Sequence, residues 1–571
     1  MRLTRRDFLE LIAVTGALAS NPVDLLAKMT KDDLMSFRKT GNVTLLFTTD
    51  IHAHMQPLYF MEPYNLVAPK NLQGMPGFLT GDEQIKNQGL RPGSLEAYFA
   101  SSSNFEKLAE KFGKMGGGAH ISAIINEIRA ERGAKNTIVL DNGDTWATTA
   151  LALFTEGKAI VDWMNHVGYD YMVGHWDFTL GKETFLKRVA EFKGEFLSQN
   201  ITEDMFDELV FKPYAIREAG GAKIGIIGNS FPYTPIANPR ELTEGWRFGI
   251  REESIQKYAD ELRQVHKVDA VILQSHDGLA LDVALAKNLK GIDIIVSGHT
   301  HEALPKPIRV KNTWIVVAGS HGKYVGRIDL MASKGQMLDF QYKLIPVASA
   351  LIPADKKALK IIDDAYAPFK KKLEKKIGTA ESLIYKRDTF HSTFDELAGK
   401  AIADHYHGVD IVFSPGFRWG TTILPGDKIT VNDIYDFTAI TYPNVYVFKM
   451  QGKQLMEILE DVADNAFNPD PLFQQGGDMT RLFNVTYDIK VNEKMGKRIS
   501  NFKVKGKPFN PEKTYTLAAY GGNLYRAGTL LPDAKPEPVY DILVKYIQKQ
   551  KNIKVSSKSN VTVLDANYGK Y

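Results

Sequence analysis

The chain has no cysteine among its 571 residues. That absence removes disulfides, thiolate metal sites, iron–sulfur clusters and a cysteine nucleophile together. Any metal must then be held by His, Asp, Glu or Asn, which makes the positions of the 13 histidines worth following. A surplus of charge is also missing: 71 Lys and Arg face 67 Asp and Glu, for a formal net charge of +4. Over this length that is too small to argue for a nucleic acid as partner. No apolar run reaches the roughly 20 residues of a membrane-spanning helix, so the sequence does not read as an integral membrane protein. With 44% hydrophobic and 24% charged residues, the composition is that of a folded chain. Its length allows about two to four domains.

The first residues carry an address. Thr4-Arg5-Arg6-Asp7-Phe8-Leu9 precedes an apolar stretch, Leu11 to Ala19, that ends in Ala17-Leu18-Ala19, a small-x-small cleavage pattern. The Arg pair followed by Phe-Leu resembles a twin-arginine signal. That route exports proteins already folded, which suits one that must acquire a metal in the cytoplasm, and it implies a periplasmic destination. Residues 1–19 are therefore set apart from the fold.

From Val43 to about Ala350, short apolar runs alternate with amphipathic segments. Val43–Thr48, 137–140, 169–173, 223–228, 270–274, 292–297 and 314–318 read as buried strands. Ile121, Ile124, Ile125 and Ile128 share a helical face, and 252–266 and Leu279–Asn288 are further helices. Such alternation predicts a layered α/β domain over 40–350, two sheets flanked by helices. The stretch 55–118 is too long for a structureless loop and reads as an insertion over the active-site face. A linker helix is expected over 354–377 within 351–378, with Pro368 as a kink. A second α/β domain follows over 379–560, with strands near 411–413, 446–450 and 515–519, and 561–571 reads as a loosely held tail.

Five segments place carboxylates or imidazoles just after a predicted strand: Thr49-Asp50-Ile51-His52, Asp141-Asn142-Gly143-Asp144, Gly174-His175-Trp176-Asp177, Ser275-His276-Asp277 and Gly298-His299-Thr300-His301. Ligands of open α/β sheets bind at the carboxyl ends of strands, so the five converge on one site. Oxygen and nitrogen donors without sulfur suit a pair of Mn, Fe or Zn ions. Two metals about 3.5–4 Å apart can stabilise both attacking and leaving atoms of an in-line displacement. Asp144, in a tight glycine turn, is the candidate bridging carboxylate.

These motifs, in this order, resemble the calcineurin-like metallophosphoesterase family. The second domain is similar to the substrate-binding domain of 5′-nucleotidases, with Ser414-Pro415-Gly416-Phe417-Arg418 where that family has a Gly-rich loop ending in Arg. The resemblance covers about residues 43–535. It implies one metal on Asp50, His52, Asp144 and His301, a second on Asp144, His175, His276 and His299, and Arg418 reaching an anionic group of the substrate. The chain departs from the nucleotidase pattern where the family has Gly-Asn-His-Glu/Asp. Here the Asn ligand is His175, the catalytic His is Trp176, which cannot transfer a proton, and its supporting Asp is Thr179. Around 519–523 a glycine stands where a base-stacking aromatic is expected.

The departures together resemble the SoxB subgroup, thiosulfohydrolases of periplasmic sulfur oxidation, as do the string Gly174 to Thr179 and the segment Gly228-Asn229-Ser230-Phe231-Pro232-Tyr233-Thr234-Pro235. That resemblance implies two Mn2+ ions (Zn2+ or Fe as alternatives). It also implies a sulfur-carrier partner with a cysteine on a flexible arm, from whose S-thiosulfonate sulfate is released. Arg418 is then a candidate catalytic residue, with Trp176 and Arg418 contacting substrate; Asp177, the other catalytic candidate, could orient a metal ligand or contact substrate, and the sequence does not choose. The competing readings are an exported 5′-nucleotidase and a binding protein that has lost activity. A full ligand set argues against the latter. Among the other histidines, His54 and His120 read as structural or supporting residues, and His321 as a neighbour of the site.

Overall fold

The computed structural model describes residues 30–569, so the signal expected in 1–19 lies outside the described residues. Residues up to Arg38 form one unit, described for helix Lys31–Met35 with its Thr30 capping box; Lys39–Tyr571 form the other, which holds everything that follows. Among the described residues, no helix is long and apolar enough to cross a membrane.

Two six-stranded sheets carry the N-terminal half. In the first, Val43–Thr48, Thr137–Asp141, Tyr171–Met172 and Glu195–Phe196 run parallel. An antiparallel hairpin, Tyr324–Ser333 and Gln336–Pro346, closes the other edge. The second sheet is built on Ala222–Asn229, Ala270–Ser275, Ile294–Ser297 and Thr313–Val317, again parallel. These strands are buried along almost their whole length, as parallel strands covered on both faces must be. Apolar side chains such as Ile227, Val271, Leu273 and Ile295 pack beneath helices Glu252–Gln264 and Leu279–Asn288.

Among the described residues, no sheet mixes strands from before and after residue 350. The C-terminal half has its own mixed sheet, with Ile411–Ser414 between Arg481–Phe483 and Thr514–Ala519, and Asn444–Gln451 beyond them. Helices Thr393–His405 and Gly452–Phe467 belong to this half.

Two expectations are corrected. The linker helix stops early: it spans Lys356–Tyr366, a single turn follows at Lys370–Leu373, and Lys376–Ala380 is a strand paired with Lys428–Thr430. Pro368 supplies no amide hydrogen and ends the first helix. The tail is not loose: Val561–Val563 pairs with Val485–Ile489, and the Tyr568 hydroxyl donates to Asp388 at 3.0 Å. The insertion 55–118 is structured, as its length requires. It folds into helices Gly81–Gln88, Leu95–Ala100 and Phe105–Phe112, and its first residues cross to the C-terminal half. There the Met61 amide donates to Thr422 (2.9 Å), the Val67 amide to Thr389 (2.9 Å) and Asn65 to Asp388 (2.8 Å).

Candidate metal centre

The strand ends of both sheets meet at one buried cluster. Asp50 and His52 leave the first strand, Asp144 the second and His175 the third; His276, His299 and His301 leave the two central strands of the other sheet. Two groups of four result, Asp50, His52, Asp144, His301 and Asp144, His175, His276, His299, with the ligating atoms of each within 4.8 Å of one another. Asp144 belongs to both. His301 Nε2 lies 3.2 Å from Asp50, His276 Nε2 3.3 Å and His175 Nδ1 3.4 Å from Asp144.

The backbone is bent to make this possible. Asp50 (φ 51°), His52 (51°), Asp144 (56°), His299 (70°) and His301 (68°) all lie in the left-handed region, each at a cost of about 1–2 kcal/mol for a side chain with Cβ. Such strain collects where surrounding structure holds a functional side chain in place. Here the holding is by hydrogen bonds between turns: the Asp50 amide donates to Gly143 (2.9 Å), the His52 amide to Asp144 (2.7 Å) and the His299 amide to the Asp50 carboxylate (3.0 Å). Gly143 has no alternative, since at φ 91° a Cβ there would stand 2.9 Å from His276 Nδ1.

The donor set fits a pair of divalent cations. Buried atoms without a hydrogen-bond partner gather on these residues: Asp50 Oδ1, both ring nitrogens of His175, His276 Nε2, His299 Nδ1 and His301 Nδ1. One such atom costs about 1–3 kcal/mol, so a group of them marks donors arranged for a ligand. Burial favours neutral imidazoles, the form that ligates. It pushes His52 down to about 3 and His175 to about 4, against the pull of Asp144, and takes His299 and His301 well below their ordinary value, with Arg418 adding to the effect. Burial also lifts Asp50 to about 7. His276 is the exception: burial lowers it, but Asp144 and Asp50 on either side hold it up at about 10. Two carboxylates this close in a dry site call for positive charge.

Above the cluster opens a cleft of about 340 Å³ whose wall includes Trp176, Phe417, Arg418 and Trp419. Arg418 is buried, its Nη2 3.4 Å from His299 Nε2. Phe417 stacks on Trp419 (4.2 Å between centroids), and Trp176 meets both rings edge-on. Gly521 explains the missing aromatic of 519–523: a Cβ there would lie 2.8 Å from the Phe417 ring, which occupies that space. A larger hollow, about 910 Å³, lies between the insertion and the C-terminal segment and contains none of the site residues.

The seven candidate ligands, Trp176 and Arg418 come together. Asp177 does not join them as a catalytic residue: it is fully buried, absent from the cleft, and accepts hydrogen bonds from the amides of Asp144 (2.9 Å), Thr145 (3.0 Å), Trp146 (2.8 Å) and His175 (3.2 Å). It is a positioning residue that ties the Asp144 turn to the His175 turn. His321 stacks on Phe60 (3.6 Å) and accepts from the Gly420 amide (3.3 Å), while His120 bonds the Ile352 carbonyl. Sequence reasoning missed Thr148, which holds His52 Nδ1 at 3.2 Å, and the Asn142 carbonyl against His276 Nδ1. Both leave Nε2 to face the cluster.

Residues 376–528 match the family model of the 5′-nucleotidase C-terminal domain. The sulfate thiohydrolase SoxB of Thermus thermophilus, solved in complex with glycerol, is similar over 94% of this chain and 99% of its own, with TM-score 0.91 and 40% identity. A 5′-nucleotidase precursor, also from Thermus thermophilus, shares the fold, with TM-score 0.72 and 22% identity over 91% of this chain and 99% of that one. The protein UshA of Yersinia enterocolitica is 26% identical over 494 residues, 76% of this chain and 87% of UshA.

Proposed function

Since the chain belongs to the SoxB family, within the 5′-nucleotidase and metallophosphoesterase superfamily of dimetal enzymes, we propose that it is a dimanganese thiosulfohydrolase. Its substrate is a carrier-protein cysteine S-thiosulfonate, and it acts in the periplasm after export in folded form. The reaction is protein–S–S–SO3⁻ + H2O → protein–S–S⁻ + SO4²⁻ + 2 H⁺, in which water supplies the new S–O bond and the S–S bond to the sulfonate breaks. Two divalent ions, held by the two groups that share Asp144, supply Lewis-acid stabilisation of an in-line displacement.

The chain's own residues do the rest. Arg418 presents a planar, permanently charged fork to the sulfonate oxygens. Trp176, Phe417 and Trp419 wall the cleft with apolar surface and keep bulk water from the reacting bond.

The observation that carries this reading is the indole of Trp176 at the cleft wall, where a phosphomonoesterase needs an acid. An alkoxide leaving group gains much from a proton. A thiolate leaves from a group of pKa about 8.5, and a persulfide is more acidic still, so no proton donor is required. The lack of cysteine suits a persulfide product, which would exchange with free thiols.

A second reading, an exported 5′-nucleotidase, draws on the C-terminal family match and the UshA relatives. Metal analysis combined with turnover on a sulfonated-cysteine carrier, beside AMP and a simple phosphomonoester, separates the two. The thiosulfohydrolase reading expects fast release of sulfate, very slow cleavage of AMP, and phosphoester rates that rise steeply with leaving-group acidity. AMP turnover equal to that of the carrier would reject it.

A further inference from the structure

The ring of His299 is held from the C-terminal half, unlike those of His52 and His276. Its Nε2 lies 2.9 Å from the Gln475 carbonyl oxygen, while its Nδ1 is buried without a partner. A carbonyl only accepts, and at 2.9 Å it lies closer to Nε2 than the Arg418 Nη2 donor at 3.4 Å, so Nε2 carries the proton and the lone pair sits on Nδ1. The Gln475 side chain is anchored in turn, donating to Asn465 (3.0 Å) on helix Gly452–Phe467. On one face the ring stacks against Phe231 (4.1 Å, 28°). At its edge stands Gly476, where φ is 68° and a Cβ would come within 2.9 Å of Nε2 and 3.2 Å of Cδ2. The next residue, Gly477, also has positive φ (97°), but a Cβ there would meet nothing within 4 Å.

We infer that the Gln475–Gly476 turn is a positioning element of the metal centre. It fixes the His299 tautomer and ring plane, and so makes the group Asp144, His175, His276, His299 depend on the C-terminal half. In the group Asp50, His52, Asp144, His301 the two Nε2 atoms lie 3.0 Å apart and His52 is hydrogen-bonded by Thr148 of the N-terminal half; from the C-terminal half Trp419 packs on His52 at 5.6 Å between centroids without a hydrogen bond to it. The two metal sites of one centre are thus unequal: the first is assembled by the N-terminal sheets, the second is completed across the cleft. The inference rests on the dimetal reading.

The two glycines provide a matched test, because alanine at either is strained by positive φ but only at 476 does it touch the ligand. Full-length wild type, Gly476→Ala and Gly477→Ala are titrated with Mn(II), with metal content and the electron paramagnetic resonance spectrum as readouts and thermal unfolding as a check on folding. Wild type is expected to bind two ions and give the spectrum of a coupled pair. Gly476→Ala should keep one ion at unchanged affinity, bind the other about 10–100-fold more weakly, as loss of a supporting contact to a ligand does, and show a single-ion spectrum at low Mn(II). Gly477→Ala should keep both ions. Two tight sites in Gly476→Ala, or equal losses in both variants, would overturn the inference while leaving the dimetal reading intact. Wild type that binds no second ion would overturn both.

Discussion

In the N-terminal half, five candidate ligands sit at positive φ and are held there by hydrogen bonds between neighbouring turns. In the C-terminal half, Arg418 extends from a loop outside that region, and what lies behind the loop is buried charge. Lys386 is fully buried and bonds Asp395 at 2.7 Å; Arg481 lies 3.4 Å from Asp395 and 2.8 Å from Asp478. Ser414, at the start of the Arg418 loop, donates to the same Asp395 (2.5 Å). One half stores strain in its backbone to aim ligands. The other stores desolvated ion pairs to aim a cation. Strain of about 1–2 kcal/mol is confined to its own residue, whereas a buried ion network fails as a unit when one member is lost.

The largest effect is expected where the strained half is cut at its centre. Asp144→Asn removes the carboxylate common to both groups. Metal content should fall at both sites, and turnover should drop by at least about a thousandfold, the rate equivalent of several kcal/mol of charge stabilisation; full occupancy with a normal rate would refute the shared role.

Next comes the charged half. Burial works to raise the Asp395 carboxyl, but Lys386 and Arg481 outweigh it and hold it below its ordinary value. Asp395→Asn leaves buried Lys386 without its carboxylate and Arg481 with Asp478 alone, and should lower stability by about 3–5 kcal/mol, read by denaturant unfolding. The sign of the pH dependence follows from that depressed value. The contribution is complete above the unfolded carboxyl pKa of about 3.9 and is lost as pH falls through the folded value, so variant and wild type should converge in acid.

Arg418→Ala tests the reach of one half into the other. With both metals retained, turnover on the carrier should fall about 10²–10³-fold, as for loss of one donor to developing negative charge. Metal loss would instead assign Arg418 to the integrity of the centre. The smallest effect is expected at the seam. Asn65→Ala removes a bond to Asp388 (2.8 Å) and one from the Gly569 amide (3.1 Å), and should cost about 1–2 kcal/mol of unfolding free energy with little change in rate. A large loss of turnover would show that the seam governs the centre.

Much of this was legible in the chain. Buried parallel strands announce themselves as short apolar runs, and the groups after them follow from the rule of strand ends. What escaped depends on partners distant in sequence. The donors to Asp177 come mainly from a turn more than 30 residues away, so in the sequence the residue reads equally well as support for a metal ligand or as a substrate contact. The closing hairpin left a local trace, Lys334-Gly335 at φ 53° and 78° between alternating runs, which is a two-residue turn signal. The bonds of 55–118 to Thr389 and Thr422 left none, because nothing in an insertion's composition states which surface it will meet.

Those bonds bear on how substrate gets in. Glu62, early in the insertion, pairs with fully buried Lys323 of the N-terminal half and approaches Arg387 of the C-terminal half at 4.0 Å. Swinging the halves apart would expose that triad and break the Asn65, Val67 and Met61 bonds together. Widening the cleft in that way would therefore sacrifice a desolvated ion triad and three hydrogen bonds in one step, so the insertion acts as a clasp across the two halves.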